Sequence, residues 1–465
     1  MESKKKIRIW NIFDDLAGDK VVWMIVLLLM MYSVVSLFSA SSCDPKVING
    51  TITRVQAMKG EMAIILLGLG VVIGCYNIKN LKWFKYLGMA GFILSFAMLV
   101  FVDAHMSIGP IKAAPINTAW RVISIKGFQI HIYELIKVLM VLYLAWAIER
   151  YQKKDLPFVK ALSQKKRFKF LKNDFAQKAI FIYIPILLVT LLIAVQGFST
   201  AGIMAIIMFL VILIGGLKMR EIIGPGLILL AILCGLFTLW KIYDIKALKR
   251  FATVESRLEL LSKKEQRFFD APKGTTEYYN ALDDIRQQES AKVAVMEGGI
   301  LGKGPGQSTQ KYQVSMMFED FMFSLLVEEY GIIFGGIVIM MLYLSLLARG
   351  SIIVRNCNDH FAKVTVAGLV LLITVQAFMH IMVNLGVGPM TGQTLPLISH
   401  GKSSFLVFCT AFGIILSISR MATKRIEKEM KYKNAEDPII ERPEHDSIQS
   451  ELNTLDMLDS DESME

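Results

Sequence analysis

Long apolar runs dominate this sequence, and polar connections of very different lengths separate them. A run of ~17–25 apolar residues is long enough to cross the hydrocarbon core of a bilayer as a helix. Ten runs are predicted to do so, near residues 21–41, 61–77, 83–103, 132–149, 178–195, 202–217, 222–241, 321–348, 363–386 and 403–420. The pattern therefore predicts an all-α polytopic membrane protein with about ten transmembrane helices.

The composition supports this interpretation, since 54% of the 465 residues are apolar and only 20% are charged. Soluble domains average ~45–50% apolar and ~25% charged residues, so a cytosolic enzyme with an ordinary core is excluded. The five cysteines are scattered singly along the chain. They predict neither a disulfide framework nor a CxxC metal site.

Basic residues concentrate in every second connection between the spans. They precede the first span, separate the second from the third, and are densest between the fourth and fifth, from Arg150 to Lys172. By the positive-inside rule these connections and both termini are cytoplasmic. The formal charge of +11 is therefore explained by membrane topology, and no nucleic-acid partner is expected.

The spans divide the chain into five parts: a cytoplasmic leader (1–20), transmembrane helices 1–7 (21–241), a large extracytoplasmic loop (242–320), transmembrane helices 8–10 (321–420) and a cytoplasmic tail (421–465). The first span is predicted to be an uncleaved anchor, because its apolar stretch exceeds the ~7–15 residues of a signal peptide. Eleven acidic residues and one arginine in 434–465 predict a disordered tail.

The large loop contains two distinct segments. Apolar residues recur at helical spacing in 244–268, which predicts an amphipathic helix that lies on the membrane or covers the bundle. Residues 298–311 contain five glycines and a proline, so they are predicted to form a loop.

Polar residues within the apolar spans are candidates for function or for contacts inside the bundle. Gln376, His380 and Asn384 are spaced at i, i+4 and i+8, which places them on one inward helical face. That face predicts either interhelical hydrogen bonds or a hydrophilic substrate groove. Glu134 and Lys137 are three residues apart and can pair on one face, as a structural ion pair or as substrate contacts.

Two further segments carry chemistry at the predicted outer side. Residues 386–404 combine glycine and proline with hydroxyl groups that can bind phosphate or sugar, although a plain re-entrant turn remains an alternative. Asp320 lies where the large loop re-enters the membrane, and desolvation raises the pKa of a carboxylate at such a rim. It is a candidate general base, with a solvated helix cap as the alternative.

Three stretches of sequence resemble motifs of one family. They are AKVAVMEGGILGKGPGQSTQK, EDFMFSLLVEEYG and MVNLGVGPMTGQTLPLISHGKSSFLVFCTAFGIILSISR. Their order, spacing and predicted outer placement across 291–420 are similar to those of the SEDS (FtsW/RodA) family of polytopic peptidoglycan glycosyltransferases. The compact glycine-rich motif and the tail resemble the division member of that family more than the elongation member.

The resemblance implies polymerisation of lipid II at the bacterial inner membrane, at the division septum, with Asp320 as the catalytic base. It implies a class B penicillin-binding protein and other division proteins as partners, and a divalent cation, Mg²⁺ or Mn²⁺, as the one candidate cofactor. The motifs imply substrate-binding roles for Arg121, Glu134, Lys137, Lys303, Gln310, Lys311, Gln376, Asn384, Thr394, Pro396, Ser399 and Ser403.

The sequence also departs from the family motifs. The family's LPExHTD reads VSMMFED, SYGG reads SHGK with His400 and Lys402, the tryptophan of RW is Val122, and QPDLGTA reads VQGFSTA. Two rival functions therefore remain. A flippase for a lipid-linked precursor predicts essential residues near the bilayer midplane, and a catalytically silent division scaffold is consistent with the changes around Asp320.

The topology can be tested with single cysteines on a cysteine-free background. Because the basic connections alternate, Ser262→Cys should react with an impermeant thiol reagent in intact cells with a permeabilised outer membrane, and Ser163→Cys should not. Mass-shift labelling on gels measures both. Reaction at position 163 without reaction at 262 would show the inverted orientation.

Overall fold

The computed structural model describes residues 17–42, 45–116, 119–125, 128–156, 173–243, 272–314, 317–388 and 391–436. A helix occurs at each predicted span: α1 Lys20–Ala40, α2 Arg54–Tyr76, α3 Leu81–Asp103, α4 Ile132–Gln152, α5 Asp174–Gln196, α6 Phe198–Ile214, α7 Met219–Tyr243, α9 Met322–Asn356, α10 His360–Asn384 and α11 Lys402–Glu436. Seven of them, α1, α2, α3, α5, α9, α10 and α11, are long and apolar enough to cross a membrane. The predicted polytopic helical architecture is confirmed.

Helix α4 lies at the centre of the bundle. Its residues from Ile132 to Glu149 are buried with one exception, and it packs against α3, α6 and α10. Glycines of α3 permit a close approach: a Cβ on Gly88 or Gly91 would lie 2.7 or 2.6 Å from a carbonyl oxygen of α4. The hydrophobic effect does not drive helices together within lipid, and close van der Waals packing at small residues provides the attraction instead.

Ion pairs join helix ends on the predicted cytoplasmic side. Asp19 caps α1 by accepting hydrogen bonds from two backbone N–H groups of its first turn, and it also pairs with Arg349 of α9 at 2.7 Å. Lys85 bridges Glu149 of α4 and Asp359, the N-cap of α10, at 2.7 Å each. Charges that set the predicted topology therefore also fasten the helices to one another.

A small antiparallel sheet precedes α4, and the sequence analysis did not predict it. Its strands are β1 Ser107–Ile108, β2 Ile111–Ile116, β3 Ala119–Ile125 and β4 Phe128–His131, paired in that order. The polypeptide continues directly from His131 into α4, so the sheet is fixed to the N-terminal end of the central helix, which is predicted to lie on the outer side. Strands of two to seven residues give too little alternation to stand out beside apolar spans.

A second unpredicted element, α8 Thr276–Gly298, belongs to the large loop. Thr275 caps it by accepting a hydrogen bond from Tyr278 N, and Gly299 ends it with a φ of +54°. The glycine-rich segment that follows is a loop, as predicted, with one 3₁₀ turn at Gln310–Tyr312. It lies against α9, where Lys303 N donates to Glu328 O and Ile332 N donates to Gly299 O, both at 2.9 Å.

Glycine is required at two points of this contact. A Cβ on Gly302 would lie 2.4 Å from Glu329 O, and a Cβ on Gly331 would lie 2.2 Å from Ile300 O. Both residues also have positive φ, which L side chains rarely adopt. The loop and α9 therefore meet backbone to backbone, and α9 continues through a π turn at Ile332–Ile337.

The last helix extends beyond the predicted end of the tenth span at residue 420. Residues after Ala422 form a second unit, whose described part, 423–436, is helical. The rest of the predicted tail, the amphipathic helix at 244–268, and most of the basic connection after α4 lie outside the described residues.

Candidate functional site

Asp320 lies in a turn, residues 317–321, that immediately precedes α9. Asn384, the last residue of α10, donates to Asp320 O at 3.2 Å and accepts from the backbone N and the hydroxyl of Ser324, at 2.9 Å each. Ser399 donates to Glu319 O at 2.8 Å. Two of the predicted substrate-binding residues, Asn384 and Ser399, therefore hold the candidate base in position through its backbone.

The carboxylate of Asp320 faces the loop that joins α10 to α11, which we call the α10–α11 loop (residues 385–401). A Cβ added to Gly392 would lie 3.5 Å from Asp320 Oδ2, and Gly392 has a φ of +61°. Leu397 of the same loop is buried and also has a positive φ, +60°. Its neighbour Pro396 accepts a hydrogen bond from Tyr343 of α9 at 2.6 Å, which helps to hold this uncommon conformation.

Three polar groups of β3 and the α10–α11 loop lack hydrogen-bond partners among the described residues. They are Arg121 Nε, Thr391 Oγ1 and Thr394 Oγ1, all of them buried atoms. Arg121 acts electrostatically on Glu319: burial raises the pKa of Glu319 above its usual value, and the charge of Arg121 opposes that rise. Because buried polar atoms are normally paired, these donors are candidates for contacts with an oxygen-rich ligand.

A buried polar cluster lies between α4, α10 and the α10–α11 loop. Lys137 is fully buried and contacts Glu134 Oε2 at 2.8 Å, Gln376 Oε1 at 2.6 Å and Gln393 Oε1 at 2.9 Å. Gln376 Nε2 in turn donates to Glu134 Oε2 at 3.3 Å and to Thr394 O at 3.2 Å. The structure thus contains the predicted Glu134–Lys137 pair, as part of a network that spans three elements.

The predicted polar face of α10 points inward, because Gln376, His380 and Asn384 are all buried. The Nε2 atom of His380 accepts a hydrogen bond from Phe323 N at 3.3 Å. The proton of the neutral ring is therefore on Nδ1, which donates to Gln393 O at 2.7 Å. The contacts of this face are hydrogen bonds to α4, to the start of α9 and to the α10–α11 loop. Of the two alternatives, these contacts match the interhelical hydrogen bonds rather than an open groove.

The predicted cations of the glycine-rich loop are bound by groups of the chain itself. Lys303 contacts Glu297, Thr309 at 2.9 Å and the buried Glu328 at 2.8 Å. Lys311 is buried and donates to Gly306 O at 2.8 Å and to Ser39 at 3.3 Å. Since both amines already have acceptors, their described contacts fasten the loop.

The remaining predicted residues have similar structural contacts. Gln310 N donates to Glu328 Oε1 at 3.4 Å, and Ser403, in the first turn of α11, accepts from His131 N at 3.0 Å. The latter bond joins the end of β4 to α11.

Residues that the sequence analysis did not single out also take part. Gln393 accepts from Lys137, and its Nε2 donates to Thr200 of α6 at 3.4 Å. Gln393 lies within the segment that the motif analysis flagged, but neither periodicity nor charge distinguishes it there.

The candidate divalent cation is not assigned a site among the residues that the structure describes. No group of three or more His, Cys, Asp or Glu side chains there is placed to bind a metal ion. Because Mg²⁺ is usually held by one or two carboxylates together with substrate phosphates, the divalent cation stays a prediction.

Comparison with known proteins decides the family. The model of the FtsW/RodA/SpoVE family, described as cell cycle protein, matches residues 19–424. The chain belongs to this family. This membership confirms the resemblance that the glycine-rich and α10–α11 segments indicated.

Relatives within the FtsW/RodA/SpoVE family align over most of their length. The probable peptidoglycan glycosyltransferase FtsW of Geobacter sp. strain M18 is 26% identical over 407 residues, which cover 86% of this chain and 96% of the relative. The peptidoglycan glycosyltransferase MrdB of Escherichia coli K12 is 28% identical over 413 residues, 87% and 94% of the two chains. The two relatives carry different names, FtsW and MrdB, at nearly equal identity to this chain. Sequence identity therefore does not decide which of the two this chain resembles more.

A solved structure shares the fold of this FtsW/RodA/SpoVE family member. That structure concerns structural coordination of polymerization and crosslinking by a peptidoglycan synthase complex, and it matches with a TM-score of 0.58 and 20% identity. The match covers 87% of this chain and 98% of the other. At this identity it supports the polytopic helical fold.

The buried cluster predicts a large effect of Lys137→Met on stability. Removal of the ammonium leaves Glu134 buried without its cation, which should lower the free energy of unfolding by roughly 3–5 kcal/mol. Thermal unfolding of the purified protein in detergent measures this effect. The double variant Glu134→Gln/Lys137→Met removes both charges and should recover part of the loss; a single variant as stable as the wild type would contradict the prediction.

Proposed function

We propose that this protein is a peptidoglycan glycosyltransferase that polymerises lipid II into glycan strands during cell division, with Asp320 as the general base. The observation that carries the proposal is the arrangement at the outer rim. A half-buried carboxylate there is held by its backbone and faces the α10–α11 loop beside unpartnered donors. Family membership and the names of the relatives support the substrate class.

The proposed reaction joins two lipid-linked disaccharides. The 4-hydroxyl oxygen of the acceptor sugar attacks the anomeric carbon of the donor, and the bond from that carbon to the lipid pyrophosphate breaks with inversion. Asp320 takes the hydroxyl proton, and the electron pair of the broken bond leaves with the pyrophosphate. Because pyrophosphate is a good leaving group, a base and correct positioning are the main requirements on the protein.

Arg121 and the loop hydroxyls are the proposed ligands for the phosphates. Arginine matches phosphate oxygens with paired N–H donors, and Arg121 has a buried Nε that lacks an acceptor among the described residues. Thr391 and Thr394 offer hydroxyl donors from the α10–α11 loop. No step is assigned to a metal ion, and Lys303 and Lys311 are proposed to organise the loop beside the site.

The flippase alternative is less well supported by the arrangement of polar groups. A path through the bundle would use the polar residues of α4 and α10, yet Lys137, Glu134 and Gln376 are buried and bonded to one another. Among the described residues, unpartnered buried hydroxyl groups occur at Thr391 and Thr394 of the α10–α11 loop, and also within the bundle at Thr190, Thr365 and Thr374. The preference for glycosyl transfer therefore rests on the bonded Glu134–Lys137–Gln376 network and on the relatives, which are named glycosyltransferases.

A division role, a position at the septum and a class B penicillin-binding partner complete the proposal. The glycine-rich motif and the tail favour the division member, and the relative from Geobacter is named FtsW. The matched solved structure concerns a complex that couples polymerisation with crosslinking. The proposed partner would supply that crosslinking activity.

Two carboxylates of one turn provide a matched test of the base. Asp320→Asn keeps the shape of the side chain but cannot accept a proton at neutral pH, so lipid II polymerisation should fall by at least about 10²-fold. Glu319→Gln, one residue earlier, should stay within about tenfold of the wild type, because the described structural role of Glu319 uses its backbone oxygen. Glycan products on gels report the rates, with circular dichroism and size exclusion as checks of folding.

Near-normal polymerisation by Asp320→Asn would remove Asp320 from the mechanism. A wild-type protein that is inactive under all conditions, including with the partner, would support the silent scaffold instead.

The proposed partner dependence is tested by comparing rates with and without the cognate class B penicillin-binding protein. If the partner organises the outer loop around Asp320, the pair should polymerise lipid II at least about tenfold faster than this chain alone. Detergent and lipid II concentration are matched, and a partner with an inactivated transpeptidase serves as the control. Equal rates would show that this chain organises its own loop.

A further inference from the structure

We propose that Glu61 and Lys402, together with Ser36 and His400, are positioning residues that fasten α1 and α2 to the turn carrying Asp320. The inference rests on the proposed function for its catalytic consequence, but its structural part is separate. His400 and Lys402 are the residues at which this chain departs from the family motif SYGG. The side chains that replace the motif residues are the ones that make the contacts described below.

His400 connects α1 to the Asp320 turn. Its backbone N donates to Phe318 O at 3.0 Å, and its ring packs edge-on against the Phe318 ring, with 6.2 Å between the centroids. The Ser36 hydroxyl lies 3.0 Å from His400 Nε2 and donates its own hydrogen to Ser33 O, so the imidazole is the donor to Ser36. Burial lowers the pKa of His400 to about 4, and the charge of Lys402 acts in the same direction, which keeps the ring neutral.

Lys402 connects α2 to the same region. Its Nζ lies 3.1 Å from Glu61 Oε1, across the gap between α2 and the start of α11. Both charges also act on Glu319, the residue before Asp320: Glu61 raises and Lys402 lowers its pKa. The ion pair is therefore electrostatically close to the turn, while Ser399, three residues before Lys402, holds that turn directly.

The ion pair matters for the position of α2 because few side chains of this helix are buried. Only Ala57, Ile65, Gly68, Val72 and Tyr76 of α2 are buried, and four of these lie in its second half. A small cavity lies between the first half of α2 and the α10–α11 loop, and it is lined by Ser33, Glu61, Ile64, Ile65, Ser399, His400, Lys402 and Phe405. Few side chains of α2 are buried here. Among the described residues, the Lys402–Glu61 ion pair joins α11 to α2 at the edge of this cavity, and the His400–Ser36 hydrogen bond joins the α10–α11 loop to α1.

An exposed ion pair adds little to global stability, so its expected effect is on geometry. Without the pair, the start of α11 loses its ion pair to α2, and the preceding residues Ser399 and His400 hold the Glu319 and Phe318 carbonyls less firmly. Misplacement of a base by a fraction of an ångström to one ångström lowers the rate of the chemical step more than it lowers substrate binding.

Charge reversal tests the pair in the full chain with its partner. Glu61→Lys and Lys402→Glu each place like charges together, and each should lower kcat for lipid II polymerisation by about tenfold with KM changed less than about twofold. The double variant Glu61→Lys/Lys402→Glu restores opposite charges and should recover kcat to within about threefold of the wild type. The matched control reverses Arg425 and Glu429, a half-buried arginine and an exposed glutamate 3.1 Å apart in the last helix, and should leave kcat unchanged.

A second readout does not depend on activity. A fluorinated phenylalanine at position 318 reports on the ring that packs against His400, and its ¹⁹F resonance should shift or broaden in each single variant and in Ser36→Ala. It should return to the wild-type position in the double charge reversal. If the wild-type protein had no polymerase activity, only the proposed function would be overturned. The ¹⁹F spectra would still test whether the four residues position the turn.

Three outcomes would overturn the proposal. They are unchanged kcat and ¹⁹F resonance in both single charge variants, no recovery of either quantity in the double variant, or an equal loss in kcat on reversal of Arg425 and Glu429. The first would show that the turn is fixed without α2. The other two would show that the charge changes act through general destabilisation.

Discussion

The burial of one charged side chain, Lys137, constrains the arrangement of the whole bundle. An ammonium group removed from water needs a full set of acceptors, because an unpaired charge in an apolar interior costs many kcal/mol. Lys137 obtains them from a carboxylate of its own helix and from amides of α10 and the α10–α11 loop. These contacts join α4 to α10 and to the α10–α11 loop. The same loop brings Gly392 against Asp320 and Ser399 to the carbonyl oxygen of Glu319.

The polar groups of the described interior differ in whether the chain supplies their hydrogen-bond partners. Around Lys137, Glu328 and Asn384 it does so. Arg121 of β3 and Thr391 and Thr394 of the α10–α11 loop have buried atoms without hydrogen-bond partners among the described residues, as do several residues within the bundle. A protein tolerates such atoms where a ligand supplies the missing bonds, since the cost of desolvation is then recovered on binding. Of these residues, Thr391 precedes Gly392, which faces Asp320, and Arg121 acts electrostatically on Glu319, which distinguishes both from the unpartnered residues within the bundle.

The sequence predicted features that depend on local pattern. The apolar runs located the helices, and the spacing of Gln376, His380 and Asn384 identified the inward face of α10. It did not predict the sheet before α4, because strands of a few residues in a connection give almost no periodic signal. Nor could it show that Lys303 is bound by Glu328, since a glycine-rich loop beside two acidic residues is equally compatible with free cations. The acceptors of Lys137 on α10 and beyond it were also unpredictable, because chain separation of this size leaves pairing to the tertiary fold.

Lys137 is synthesised well before Gln376 and Gln393, whose amides bind its ammonium group, and this order affects insertion of the protein into the membrane. Gln376 and Gln393 follow Lys137 by 239 and 256 residues, so the ribosome completes five further spans before both amides exist. Meanwhile α4, which is not among the helices apolar enough to cross a membrane alone, carries charged groups that a translocon transfers into lipid only at a cost. Its early neighbours, above all α3 with its close glycine contacts, must shield it during that interval. Substitutions at Gly88 or Gly91 should therefore act first on the yield of inserted protein, while the mature molecule is still incomplete.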